Sequence, residues 1–174
     1  MKTLVLIVLL FCSVQMFGQF GYVISEYAKD VDYVITKYEH SSLPSFYTIT
    51  PPDADSLMKA VRQGKTQYGG LPIPWGHAEF WSDSFAQIRN RYLSSADLQS
   101  LREHSVTMGV ELIFDDSGTM KYIEASLKGN MFDVISMEQL VSMYRALWKI
   151  KVPMKGEFDH TQYYKGYISF LRYN

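Results

Sequence analysis

Val106–Leu127, VTMGVELIFDDSGTMKYIEASL, is the stretch on which the fold turns. Val106, Met108, Val110, Leu112 and Phe114 recur at every second position, the period of a strand with one buried face. Asp115-Asp116-Ser117-Gly118 then supplies a turn closed by glycine, and the apolar pattern resumes through Met120, Tyr122 and Ile123. Strand, glycine-closed turn and strand predict a β-hairpin. Asp115 and Asp116 also invite a reading as paired carboxylates for acid–base work or calcium. Their place in the turn explains them without either, because aspartate favours turns by accepting hydrogen bonds from its own backbone.

Reading toward the C-terminus, Gly129-Asn130 ends the hairpin. Ser136 followed by Gln139 has the spacing of a capping box, and Met137, Leu140, Val141, Tyr144, Leu147 and Trp148 then mark one continuous helical face. Pro153 forbids continuation. The last alternating segment, Tyr163–Tyr173 (YYKGYISFLRY), predicts a final strand.

Reading toward the N-terminus, Ser94-Ser95 with Asp97 opens a short helix carrying Leu98 and Leu101, and Trp81–Tyr92 suits a helix with Phe85, Ile88 and Tyr92 on one face. Glycines and two prolines crowd Gly69–Gly76 (GGLPIPWG), so no regular element crosses it. Ser45–Thr50 (SFYTIT) reads as a strand running into a helix, with Thr50 as N-cap, Pro51 at the first helical position and Gly64 as the stop. Tyr22–Glu39 (YVISEYAKDVDYVITKYE) is apolar at spacings that suit a helix or strands, its middle leaning to helix. The expected class is α+β. Over residues 77–174 a helix–hairpin–helix–strand layer forms a three-stranded antiparallel sheet packed by helices. Residues 19–76 add a mixed N-terminal lobe and loop to the same domain.

Residues 1–18 read differently. Lys2 precedes an unbroken apolar run, Leu4–Phe11, and then a more polar stretch to Gly18, the order of a secretory signal. The run is less than half of the roughly 20 residues a spanning helix needs. Cleavage after Gly18 satisfies the small-residue requirement. Lipidation at Cys12 does not fit, since Phe11 is bulky where that processing needs a small side chain. The expectation is export to the periplasm or beyond, with no membrane span in the trimmed chain.

Trimming removes the single cysteine and Lys2, leaving 16 of the 17 Lys and Arg against 18 Asp and Glu. Disulfide, thiol and Cys-metal chemistry are excluded. A near-neutral balance without a basic cluster leaves no footprint for nucleic acid. His40, His77, His104 and His160 are scattered, and zinc needs three or four converging ligands. His77 with Glu79 is the one close pairing, and it reads as loop polarity, so no metal or cofactor is expected. No serine sits in a nucleophile elbow and no phosphate loop occurs. The aromatic content is the oddity, with 13 Tyr and 10 Phe, suited to tyrosine-rich strands or to a binding surface. Trp75, stiffened by Pro72 and Pro74, is the best local contact candidate, with Trp81 beside it. Against that stands packing of both rings onto the helix that follows Thr50.

The run from Ser95 to Asn174, with VTMGVELIFDDSGTMKYIEASLKGN, ISMEQLVSMYRALWKI and YYKGYISFLRYN, resembles the carboxy-terminal domain of TonB-type proteins. As a whole the chain is similar to small exported proteins of Bacteroides-like bacteria. TonB transducers keep an N-terminal anchor and a proline-rich spacer, which this sequence lacks. The resemblance therefore implies a binding mode rather than energy transduction: a sheet edge that accepts an extended peptide. It directs attention to Tyr163, Tyr167 and Tyr173 of the last strand. The expected function is a non-enzymatic envelope module binding a peptide or protein by edge-strand pairing. The competing expectations are a hydrolase or carbohydrate-active protein with carboxylates near Trp75, and an accessory or inhibitor subunit.

Overall fold

A seven-stranded sheet in the order β1-β2-β3-β6-β5-β7-β4 organises the chain. The computed structural model describes residues 22–63, 66–67, 78–129, 131–153 and 163–171. The strands are β1 (Tyr22–Lys29), β2 (Val34–His40), β3 (Phe46–Thr50), β4 (Thr66–Gln67), β5 (Thr107–Asp115), β6 (Met120–Lys128) and β7 (Tyr163–Leu171). The helices are α1 (Ala54–Gln63), α2 (Ala78–Tyr92), α3 (Ser95–Glu103) and α4 (Met137–Leu147). Neighbouring strands are antiparallel except β4, which lies parallel to the start of β7. The class is mixed α+β. The strands of residues 22–50 join those of 107–171 through β3 and β6, so the N-terminal strands extend one sheet instead of forming a lobe of their own.

The hairpin expected from the sequence is β5–β6. Its turn is knitted by Asp115: Oδ1 accepts from the backbone N–H of Ser117 (2.9 Å) and Thr119 (3.0 Å) and from the Ser117 hydroxyl (2.6 Å). Gly118 takes a φ of 76°, the left-handed conformation that closes such a turn. One extra residue on β6 shifts the register between Ile113 and Phe114. Met108, Val110, Leu112 and Phe114 are buried in the main core with Trp81 and Phe85 of α2, Leu101 of α3 and Leu140, Met143 and Tyr144 of α4. Ile113 and Tyr122 are buried on the opposite face, against Ala54, Leu57 and Met58 of α1. The run Leu112-Ile113-Phe114 thus records a strand covered from both sides, beyond simple alternation.

The capping box expected at Ser136 is present, and the start signal at Ser94 proves to be a second one. Ser94 caps α3 with Asp97, and Ser136 caps α4 with Gln139. Gln139 also donates from Nε2 to the Tyr92 carbonyl (3.1 Å) and to Asp97 (3.3 Å), tying the starts of α3 and α4 to the end of α2. Within the core, the buried Tyr144 hydroxyl donates to the Ile123 carbonyl at 3.1 Å. Burial holds that phenol well above its ordinary pKa, so it remains a donor at any physiological pH.

Two local expectations need correction. Residues 22–39 are not helical: Tyr22–Lys29 and Val34–His40 pair as a hairpin around Asp30–Tyr33. Their β-branched residues and the free side of β3 outweigh the helical spacing. The next helix begins at Ala54, not at Pro51. Pro52 pushes the residue before it out of the α region, so Pro51 cannot open a helix that Pro52 continues. Asp53 takes the capping place, its carbonyl accepting from Leu57 N–H at 3.0 Å.

The Asp115 turn makes the fold acid-sensitive. Burial pushes its carboxyl up, but hydrogen bonds from Ser117 and Thr119 and the Lys121 ammonium (3.0 Å) outweigh this and hold the pKa at about 2, below the usual 3.8. A depressed carboxylate pKa stabilises the folded state above the unfolded value, and that contribution is lost as pH falls through the folded value. The expected loss is about 2 kcal/mol between roughly pH 4.5 and pH 2. Asp115→Asn, which keeps an acceptor but binds no proton, will be less stable than wild type at neutral pH. In urea unfolding across that window the two will converge as pH falls.

Candidate functional site

Each sheet ends in a strand, and here the two ends differ. β7 has β5 on one side and β4 against its first two residues on the other, where Thr66 and Gln67 pair with Tyr163 and Tyr164. At Tyr163 the outer edge of β7 is therefore taken by the backbone of β4. Tyr167 is 64% exposed, yet its ring lies back across β5: a β-carbon at Gly109 would overlap the Tyr167 hydroxyl. Its exposed face looks out from the sheet surface rather than from the outer edge. Trp75 and Tyr173 fall outside the described residues. Trp81, considered as a surface contact, is instead a core residue, 3% exposed and packed on Phe80, Phe85 and Phe114. It packs there rather than on α1, because α2 lies on the other face of the sheet. Its indole Nε1 finds no acceptor among the described residues.

β1 forms the other end, and no described residue pairs with its outer side. Successive side chains of a strand point to opposite faces, so burying one face would leave only alternate residues in water. In β1 both Val23 (67%) and Ile24 (65%) are exposed, as is Tyr27. Among the described residues of β1, Ala28 is the one hydrophobic that packs against the main core. β1 is held by three other devices. Tyr22 lies against His40 (5.0 Å between ring centres) and Phe46 (5.4 Å), and Phe46 stacks on Tyr38 at 4.4 Å. On the helix side Tyr27 meets Phe132 (5.1 Å) and Tyr47 (5.3 Å). At the turn, Arg145 of α4 grips Asp32 with two hydrogen bonds, from Nε (2.6 Å) and Nη2 (2.8 Å), and reaches Asp30 at 3.2 Å. The guanidinium lies 5.6 Å from the Tyr33 ring centre. The fork geometry lowers the Asp32 pKa, chiefly through the Arg145 hydrogen bonds.

Beside these strands, on the α1 side of the sheet, a groove of about 430 Å³ runs between β2, β3, β6 and the start of α1. Thr36, Thr48, Thr50 and Tyr38 form its floor, and Asp53, Asp55 and Glu124 are its charged lining. The Tyr122 hydroxyl donates to Glu124 at 2.8 Å. Burial, then that carboxylate, raises the phenol pKa and keeps it a donor. Glu111 lies directly across from Glu124 in the β5–β6 register. Among the described residues the groove therefore offers hydroxyls and carboxylates with no cation in its lining, a surface suited to cationic or hydroxyl-rich groups.

His40 accepts from the Ser42 backbone N–H at 3.1 Å, and His104 is bonded to the Ser100 carbonyl at 2.8 Å as it ends α3. His77 and His160 fall outside the described residues. Among the described residues no three His, Cys, Asp or Glu side chains are grouped to hold a metal ion. No helix among them is long and apolar enough to cross a membrane.

No protein-family model, no curated protein and no solved structure matches this chain.

The sequence carries a signal for the β1 edge, since Tyr22-Val23-Ile24 and Val34-Ile35-Thr36 are aromatic or β-branched on either side of Asp30-Val31-Asp32. If Arg145 is the clasp of this hairpin, Arg145→Gln will speed amide hydrogen exchange across residues 22–40 while slow amides of β5 and β6 keep their rates. Global stability will fall by less than about 1 kcal/mol, as for other exposed ion pairs.

Proposed function

We propose that this chain is an exported binding module of the cell envelope that takes an extended segment of a peptide or protein partner as an added strand. The observation that carries the reading is β1. Its outer N–H and C=O groups lack a strand partner among the described residues, and Val23, Ile24 and Tyr27 present apolar surface around them. A long exposed apolar edge is what proteins ordinarily blunt with lysine, proline or a covering element, because it templates pairing with another chain. β1 carries a bulge near Tyr27, between Glu26 and Ala28, but keeps a regular ladder from Tyr22 to Glu26. An incoming strand would gain main-chain hydrogen bonds along this stretch and would choose its side chains against Val23 on one face and Ile24 on the other.

Two further considerations support the reading. The leader of residues 1–18 has the order of an export signal. The resemblance of the C-terminal part to TonB carboxy-terminal domains implies the same mode of recognition. On that resemblance α3, the β5–β6 hairpin, α4 and β7 are the counterparts of that domain's helix, hairpin, second helix and last strand. β7 then provides a second edge, beyond the two residues that β4 covers.

Screening a library of extended decapeptides against the full chain, followed by hydrogen exchange on the best binder, tests the reading. The expected binder is rich in β-branched residues and slows exchange of amides within Tyr22–Lys29. Val23→Lys combined with Ile24→Lys will weaken binding at least tenfold, about 1.4 kcal/mol, with the unfolding midpoint little changed because both side chains are exposed. Binding that leaves the amides of both β1 and β7 unprotected overturns strand addition.

A further inference from the structure

A second concavity lies on the helical side of the molecule, between α2 and the end of α4. Phe80, Ser84, Gln87, Ile88, Arg91 and Tyr92 recur at helical spacing and form one wall from a single stripe of α2. The opposite wall is Ala146 of α4 and the segment Lys149–Lys151. The volume is about 310 Å³, at the small end of the ~300–1,000 Å³ typical of ligand pockets.

The chemistry of this cleft is asymmetric. Its floor is apolar and half-buried: Phe80, Ile88, Tyr92, Ala146 and Ile150. Its rim is Arg91, Lys149 and Lys151, with no Asp or Glu in the lining among the described residues. Among the described residues none of the three cations is in an ion pair. In a chain of net charge −1, three unneutralised cations around one apolar floor are a concentration of positive potential. Part of the rim is anchored, Arg91 by an aromatic ring and Lys151 by its backbone. Arg91 lies over the Tyr92 ring at 5.7 Å, and Lys151 pairs with Thr119 beside the β5–β6 turn, followed by the Val152 N–H bond to the Gly118 carbonyl at 2.9 Å. The end of a helix ordinarily repels anions through its free carbonyls. Here the Ala146 and Leu147 carbonyls accept from Lys149 and Ile150 N–H, each at 3.1 Å, so those lone pairs are used within the chain. Ser84 and Gln87 add neutral donors between floor and rim.

We infer that this cleft binds a small anionic amphiphile, a carboxylate or phosphate on a short apolar body, with the anion at Arg91, Lys149 and Lys151 and the body on Phe80, Ile88 and Ile150. Neither half of the lining suffices alone: a bare anion would leave the floor wet, and a neutral hydrocarbon would leave the cations without a partner. The assignment stands apart from strand addition at β1, since it uses neither sheet edge.

Calorimetric titration of n-octanoate into the full chain at low ionic strength tests it, with n-octanol, inorganic phosphate and octyltrimethylammonium as comparison ligands. The expected result is saturable one-to-one binding of octanoate, tighter than any comparison ligand and weakened as salt is raised. Arg91→Gln, Lys149→Gln and Lys151→Gln together, all at exposed positions, will weaken octanoate binding at least tenfold while thermal unfolding stays cooperative. Absence of saturable octanoate binding, unchanged binding by the triple variant, or equal binding of octyltrimethylammonium overturns the assignment. Phosphate binding as tightly as octanoate overturns the apolar half of it. Capture of phosphatidylglycerol vesicles by wild type but not by the triple variant, without octanoate binding, would give the rim to a membrane surface and overturn the small ligand.

Discussion

Burial of the β5–β6 hairpin from both sides is the constraint on which the rest of the structure depends. Leu112 and Phe114 face the core built by α2, α3 and α4, while Ile113 and Tyr122 face α1. A hairpin alone is marginal in water, and this one is stable because apolar side chains on both faces find cover. Placing it at the centre leaves two flanks to fill, and β3-β2-β1 and β7-β4 fill them. The helices come from several parts of the chain, yet all must reach the same few strands. Among the described residues, cover is consequently thick in the middle of the sheet and thin at β1, where Ala28 packs against the main core and Tyr27 meets Phe132.

That gradient links packing to function. At the centre, residues such as Leu140 and Ile123 are wholly removed from water, and each contributes on the order of 1.5–3 kcal/mol by burial. At β1 the gain comes from aromatic pairs, worth about 0.5–1.5 kcal/mol each, and from one arginine fork at the turn. Elements held this way open at lower free energy than the core and are the ones proteins use for exchange with partners. Among the described residues nothing pairs with the outer side of β1, and its exposed valine and isoleucine would gain most from a guest. β7 is differently placed, since β4 occupies its start and Tyr167 lies folded back over Gly109.

Much of the fold was legible where local chemistry and tertiary packing agree. The Asp115–Gly118 turn, the capping boxes at Ser94 and Ser136, and the stripe of α4 depend on neighbours within a few residues, so a short window of sequence contains their cause. Tyr22–Glu39 was ambiguous because its apolar spacing satisfies two periods, and β3 settled the matter by offering a free side to pair with. Trp81 could be read as surface or core, since nothing local shows that Phe85 and Phe114 enclose it. The cationic cleft was not legible at all. Arg91 and Lys149 are far apart in the chain, and each alone resembles an ordinary solvated charge.

By itself the sequence determined the hairpin, the capped starts of α3 and α4, the alternation of the last strand and the absence of any thiol beyond Cys12, because each follows from residue type and spacing over a few positions. Only the tertiary structure decided which strands stand at the edges, that α1 and the other helices lie on opposite faces, and that Arg91 meets the distant Lys149 and Lys151 over an apolar floor. Those are relations between segments far apart in the chain. They are set by how much apolar surface each segment can bury against the others, which no local window of residues records.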